Sequence, residues 1–349
     1  MTSNFPSLEA FAAEIERVEK QGKDYVVDSQ HMYMVNPDTI AFDAGISASD
    51  FDLTDLAHGQ LAEKLGIPKP YYDRIKEIPF LREHNVDELL KARPNSLMIR
   101  TLDGQARAIL SDKYKRVDNA PVLRTIFPII REAVDSKEVA IRSYSLSPTK
   151  MRFQVAFPKV QGEVKKGDVV QGGVTFSNSE VGMGMFEIQA WVERLVCSNG
   201  LMLPSVLKKR HVGGRVTDDA LDGFEFRRET IEAEQRAVGL VSRDIMQSML
   251  KGDWFAEQLA KMRESSEDAV VRPATAIERT VKLLGLPEGL QDPLLNSFAS
   301  AGDMSRWGVV NSLTAFAKGF ENPDKQAEFE VHGATILNLP AKEWERIVA

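Results

Sequence analysis

The residues in this chain whose types and spacing could do chemistry are cations interleaved with aromatics. Lys113-Tyr114-Lys115-Arg116 follows one hairpin pattern, and Arg142, Tyr144, Lys150, Arg152 and Phe153 decorate a second. A compact basic run, Lys208-Lys209-Arg210-His211-Val212-Gly213-Gly214-Arg215, comes later. A single-strand binder needs this mixture, because cations track phosphates while aromatic or guanidinium planes stack on bases. Gly213 and Gly214 let backbone N–H groups approach a phosphate. Each cluster alone reads equally as half-buried sheet tyrosines and solvated lysines. The three together favour a binding surface, with Arg194 as a further candidate. Burying four unpaired cations between Lys208 and Arg215 would be prohibitive, so that run is expected at the surface or against a partner.

The net charge of −7 hides an asymmetry. Residues 95–216 hold 19 Lys+Arg against 11 Asp+Glu, a balance of +8, which leaves −15 for the rest. Such a split hints at a polyanion-binding part beside an acidic part, although chance spread over a folded surface gives the same count.

Enzyme signatures are mostly missing. There is no phosphate-loop pattern, no G-x-S-x-G elbow and no H-E-x-x-H. His31, His58, His84, His211 and His332 lie far apart, with no metal-ligand spacing. Cys197, the single cysteine, permits no intrachain disulfide and reads as a small buried hydrophobe rather than a nucleophile. No catalytic residue, metal or cofactor is therefore expected. One trace points the other way: Glu163-Val164-Lys165 has the E-x-K spacing of a metal-dependent nuclease, with Asp135 upstream. It sits between Gly162 and Gly167, where a hairpin tip with solvated charges is the plainer reading. Gln60–Ile67 followed by Tyr72 and Ile75 has helix-turn-helix spacing. Pro68 and Pro70, and too few cations beyond Lys69, Arg74 and Lys76, favour a structural helical hairpin.

These residues must be positioned by an α+β fold. A helix capped by Ser7 opens the chain, with β-runs at Tyr25–Asp28, His31–Val35 and Thr39–Phe42. Helices are expected at Leu53–Leu65 and after Pro68. Asp103-Gly104 joins Ser96–Leu102 to Gln105–Ser111 in the strongest hairpin signal of the chain. A helix at Pro121–Ser136 precedes β-runs at Val139–Leu146, Lys150–Phe157, Asp168–Ser177 and Met185–Cys197. Hairpins around one helix predict a mostly antiparallel sheet in the middle segment covered by helices. Beyond Val216 the pattern turns helical and acidic, with Glu264–Asp268 as a hinge and a final β-run at Phe329–Leu337. The expected organisation is an N-terminal α/β segment (1–94), a basic sheet core (95–216) and a mainly helical acidic part (217–349).

Several blocks resemble an uncharacterised family of phages and mobile elements known only as a domain of unknown function. They are Gly167-Asp168, Asn178-Ser179-Glu180-Val181-Gly182 and Arg194-Leu195-Val196-Cys197-Ser198-Asn199-Gly200-Leu201. Tyr114-Lys115-Arg116-Val117-Asp118-Asn119 and Trp307-Gly308-Val309-Val310-Asn311-Ser312-Leu313-Thr314 look like its flanking blocks. The resemblance implies a phage or plasmid setting and supplies no activity, cofactor or catalytic residue.

Apolar residues at 43% and charged residues at 27% are the proportions of a soluble globular protein, and no run approaches a spanning helix. An acidic N-terminus unlike a signal peptide points to the cytoplasm. The leading expectation is a non-catalytic single-stranded DNA binding or annealing protein of a mobile element that forms homo-oligomers without a membrane. The alternatives are a metal-dependent nuclease using Asp135, Glu163 and Lys165, and an interaction or anti-defence factor whose acidic C-terminal part meets a host or phage protein.

Overall fold

The computed structural model describes residues 5–43, 48–195, 199–209, 228–320 and 323–349. These form two sheets, mostly antiparallel, and twelve α-helices, an α+β fold with a helical C-terminal part. No helix among the described residues is long and apolar enough to cross a membrane.

Helix α1 (Leu8–Gln21) begins where the Ser7 hydroxyl accepts the Ala10 N–H, and it buries Phe11 and Ile15. Strands β1 (Lys23–Asp28), β2 (Met32–Asn36), β3 (Thr39–Asp43) and β4 (Ala48–Leu53) follow. Thr54 then caps α2 (Asp55–Leu65), and Gly66, at φ 69°, ends it in the left-handed conformation that costs glycine least. Helices α3 (Lys69–Arg74) and α4 (Leu81–Ala92) lead to β5 (Ser96–Leu102) and β6 (Gln105–Ser111). Asp103 at φ 52° and Gly104 at φ 77° make the two-residue turn that an Asp-Gly pair favours.

The six strands run in the order β1-β5-β6-β4-β3-β2. β4 and β6 pair in parallel, through Asp52↔Gln105 and Leu53↔Ala106. Residue 95 therefore falls inside one sheet, with strands from both sides of it hydrogen-bonded together. Leu61, Tyr72, Val86 and Leu90 from the helices bury against Ile40, Phe42, Ile99 and Ile109 of that sheet. At the β2 edge, the Met34 N–H donates to Asp87 Oδ1 at 2.8 Å, which closes one open donor of an exposed strand.

Helix α5 (Asn119–Asp135) connects to the second sheet, β7 (Ala140–Leu146), β8 (Met151–Glu163), β9 (Val169–Asn178), β10 (Phe186–Arg194) and β11 (Asn199–Lys209). Its order is β11-β10-β9-β8-β7, and every pair is antiparallel. Phe186, Ile188, Ala190 and Val192 of β10 enter the main core, while Trp191 joins Ala156 and Met202 on the opposite face. β10 pairs with β9 without a bulge from Glu187 to Arg194, so Trp191 and Arg194 face opposite ways.

The C-terminal helices are α6 (Arg228–Leu250), α7 (Asp253–Glu267), α8 (Pro273–Leu283), α9 (Gln291–Ala301), α10 (Arg306–Ala317), α11 (Pro323–Leu337) and α12 (Ala341–Val348). Met246, Phe255 and Val310 from them share a core with Ile126 of α5 and with Phe153, Val174 and Phe176 of the sheet. Two expectations are corrected here. The run Phe329–Leu337 is helical: Phe329, Ala334, Ile336 and Leu337 are buried while Val331 is exposed, the spacing of a helix face rather than a strand. Glu264–Asp268 is no hinge, because α7 continues through Glu267. Ser265 is buried there and donates to the Met262 carbonyl at 2.7 Å, while Glu264 and Glu267 stay exposed.

Candidate functional site

Two of the blocks, residues 114–119 and 178–182, fold onto each other where the two sheets meet. The first links β6 to α5 and the second leaves β9. Arg100, buried on β5, donates from Nε to Asp24 at 2.9 Å, from Nη2 to Asp118 at 2.8 Å and from Nη1 to the Glu180 carbonyl at 2.8 Å. Arg116 reaches the other oxygen of Asp24 at 2.6 Å. Glu180 accepts from the Asn119 N–H at the start of α5 at 2.8 Å and from Arg107 Nη2 at 3.0 Å. A carboxylate there satisfies an orphan donor and complements the helix dipole. Asn178 Nδ2 donates to the Val117 carbonyl and to Asn119 Oδ1, and the Tyr114 hydroxyl donates to the Ser179 carbonyl. Burial pushes the Asp118 carboxyl up. The charge and hydrogen bond of Arg100 outweigh that and hold it below the usual carboxylate range. Buried charges survive only when matched in this way.

Above this junction lies a cleft of about 360 Å³. Ile15 and Val18 of α1, the turn at Leu102, the β7–β8 turn at Leu146–Met151, and Val181 form its walls. Thr54, Arg107, Asn119 and Glu180 form its polar floor, and Lys150 lines it as well. Arg107 Nε is buried and has no hydrogen-bond partner among the described residues. Of the lining carboxylates, Glu180 pairs with Arg107, while Glu14 and Asp103 share Arg17 at 2.8 Å each.

The expected binding residues are spread over several environments. Lys113 is exposed, Lys115 is half-buried, and Tyr114 and Arg116 belong to the junction. Lys150 lines the cleft, while Arg152 is buried on β8. Arg142 is exposed and pairs with the buried Glu193. Arg194 pairs with Asp168, whose other oxygen accepts Trp307 Nε1 at 2.9 Å. Three further blocks therefore meet at one buried carboxylate. Lys208 is exposed and lies 3.3 Å from Glu187 across the β10–β11 pair, and Lys209 ends β11. Arg210, Arg215 and Cys197 lie outside the described residues.

The nuclease trio offers less. Asp135 closes α5 and Glu163 closes β8, both exposed, and Lys165 pairs with Asp303 at 2.7 Å. Among the described residues no group of three or more His, Cys, Asp or Glu could hold a metal ion. Sequence reading missed Arg100 and Arg107. Their signal was a cation in the middle of an apolar strand, between Ile99 and Thr101 and between Ala106 and Ala108.

Comparison with protein-family models, with curated proteins and with solved structures finds no match to this chain.

Proposed function

We propose that the chain is a non-catalytic single-stranded DNA binding or annealing protein, and that one nucleotide of the strand sits in the cleft between the two sheets. The reading is carried by Arg107, a guanidinium anchored on Glu180 with an Nε–H that lacks an acceptor among the described residues. A buried donor left unmade costs about 1–3 kcal/mol, which a base carbonyl or ring nitrogen would recover. Leu146 and Met151 offer apolar contact to the base, and Lys150 offers a cation to its phosphate. The basic excess of residues 95–216 and the phage and plasmid resemblance support the same reading. Annealing further asks for several copies acting together, so homo-oligomeric assembly belongs to the proposal. So does a host or phage protein partner on the acidic C-terminal part.

Fluorescence anisotropy of a labelled oligonucleotide across a salt series tests it. Single strands are expected to bind with log K falling against log salt at a slope near −3.5, as for about five neutralised phosphates. Arg107→Lys keeps the charge and loses the Nε geometry, so affinity should fall about tenfold with the slope unchanged. No binding by the wild-type chain at about 50 mM salt, where phosphate contacts are strongest, overturns the reading.

A further inference from the structure

The polar groups on the cleft floor are unevenly used. Asn119, the first residue of α5, is 4% exposed. Its Oδ1 accepts from Asn178 Nδ2 at 2.8 Å, which fixes the amide and leaves its own Nδ2 as a donor. Among the described residues nothing accepts from that Nδ2. Arg107 Nε–H is buried with no acceptor among them either. Both residues are anchored on one carboxylate, since Glu180 takes the Asn119 N–H on Oε1 and Arg107 Nη2 on Oε2. An ionised carboxylate has about four lone-pair sites, so Glu180 keeps acceptor capacity beyond these two bonds. Thr54 is already occupied: its hydroxyl donates to the Ala106 carbonyl and accepts the Ala57 N–H, both at 3.3 Å.

The floor therefore offers two unused donors beside one acceptor. Cytosine carries the complementary edge, with O2 and N3 accepting and the N4 amino group donating. Thymine is the same size, but its N3–H would meet a donor and one of its carbonyls would meet the carboxylate. The Watson–Crick edge of guanine has one acceptor and two donors, and its other edge offers O6 and N7 with no donor for Glu180. Adenine leaves one of the two protein donors unmet. A site built of buried polar groups rejects such mismatches strongly, because each leaves a group unpaired.

Resting on the single-strand reading above, we infer that the cleft selects cytosine, with Arg107 and Asn119 donating to O2 and N3 and Glu180 accepting from the N4 amino group. The two pyrimidines fill the same space, so the hydrogen-bond pattern alone tells them apart.

Anisotropy on the full chain tests this with labelled oligodeoxycytidylate and oligothymidylate of equal length, at slightly alkaline pH where cytosine N3 stays unprotonated. The cytosine strand should bind roughly 5- to 150-fold more tightly, the range of one good base contact, and with the same salt slope because the phosphates are alike. Asn119→Ala removes one donor and leaves Asn178 Nδ2 its bond to the Val117 carbonyl. In that variant the ratio of the two affinities should shrink several-fold. A folded Asn119→Ala chain that keeps the full preference overturns the assignment. A second strand tests the wild-type chain without any substitution: 2-pyrimidinone in place of cytosine keeps O2 and N3 and lacks the amino group. It should bind between the other two, and affinity equal to that of the cytosine strand would take Glu180 out of the readout and overturn the assignment. Equal affinity for cytosine and thymine strands, or tighter binding of thymine, overturns the selection while leaving the single-strand reading in place. A wild-type chain that binds neither strand overturns both.

Discussion

Acid should weaken this fold through His58. The ring lies between α2 and α3 and is 7% exposed. Its Nδ1 is 2.8 Å from the Tyr72 hydroxyl and its Nε2 is 3.5 Å from Asp38. With the hydroxyl donating to Nδ1, the neutral ring carries its proton on Nε2, facing Asp38. Arg82 stacks 4.4 Å above the Tyr72 ring and lies 3.6 Å from the same Asp38. Burial first, and then the charge of Arg82, push the His58 pKa down to about 4, with Asp38 pulling the other way. Burial likewise pushes the Tyr72 hydroxyl up to about 12, so it remains a donor.

The unfolded chain takes up a proton on His58 near pH 6.5, whereas the folded chain resists until about pH 4. Stability from this residue is therefore complete above pH 6.5 and drains away as pH falls towards 4. At about 1.36 kcal/mol per unit, the loss is about 3 kcal/mol, a large share of a typical folding free energy. His58→Asn places an amide oxygen near the Nδ1 position and cannot titrate. Urea unfolding of both proteins at intervals from pH 7 to pH 4 should show the wild-type advantage shrinking by about 3 kcal/mol. A gap that stays constant over that range would refute the argument, and one that widens in acid would reverse its sign.

Glu330 should respond in the opposite direction. Burial pushes its carboxyl up to about 7 against the pull of Arg152, so its stability is lost as pH rises from about 4.5 through 7. Urea unfolding of Glu330→Gln at pH 4.5 and pH 8 should show the variant gaining about 3 kcal/mol on the wild type between them. Asp168→Asn removes the counter-charge of Arg194 while keeping an acceptor for Trp307. It should destabilise by about 3 kcal/mol in urea titrations, and a change below about 0.5 kcal/mol would refute the role of that carboxylate as a charge partner.

What could be read in advance was whatever depends on near neighbours in the chain. Ser7 and Gly66 act within one helical turn, and Asp103-Gly104 needs only the strands beside it. Strand β4 escaped because its own run, Ala48–Leu53, alternates Ser and Asp with only Phe51 and Leu53 as large apolar residues, although it pairs with its near neighbour β3 as well as with the distant β6. Helix α4 escaped for a related reason: its start is the strained Phe80 rather than a capping residue. The cleft was invisible because its floor joins residues from positions 54, 107, 119 and 180.

The charge count suffered from the same blindness to long-range pairing, and correcting it decides how strongly DNA could be held. Of the cations in residues 95–216, Arg100 and Arg116 share Asp24, Arg124 takes Glu19 and Lys165 takes Asp303. Three carboxylates from outside the segment thus sit on its basic residues while Arg17 from outside sits on its Asp103, so among the described residues these pairs bring an excess of +8 to +6 before any ligand arrives. Arg100 is spent entirely within the junction, where Asp24, Asp118 and the Glu180 carbonyl surround it. Contact with about five phosphates corresponds to a salt slope near −3.5 at roughly 0.7 per phosphate on a single strand. A slope much steeper than −3.5 would require DNA to break these internal pairs, and Asp24→Asn would then steepen it further. With the pairs intact, the same substitution should leave the slope unchanged and register in the melting temperature instead, because it strips a buried Arg100 of one of its two carboxylates.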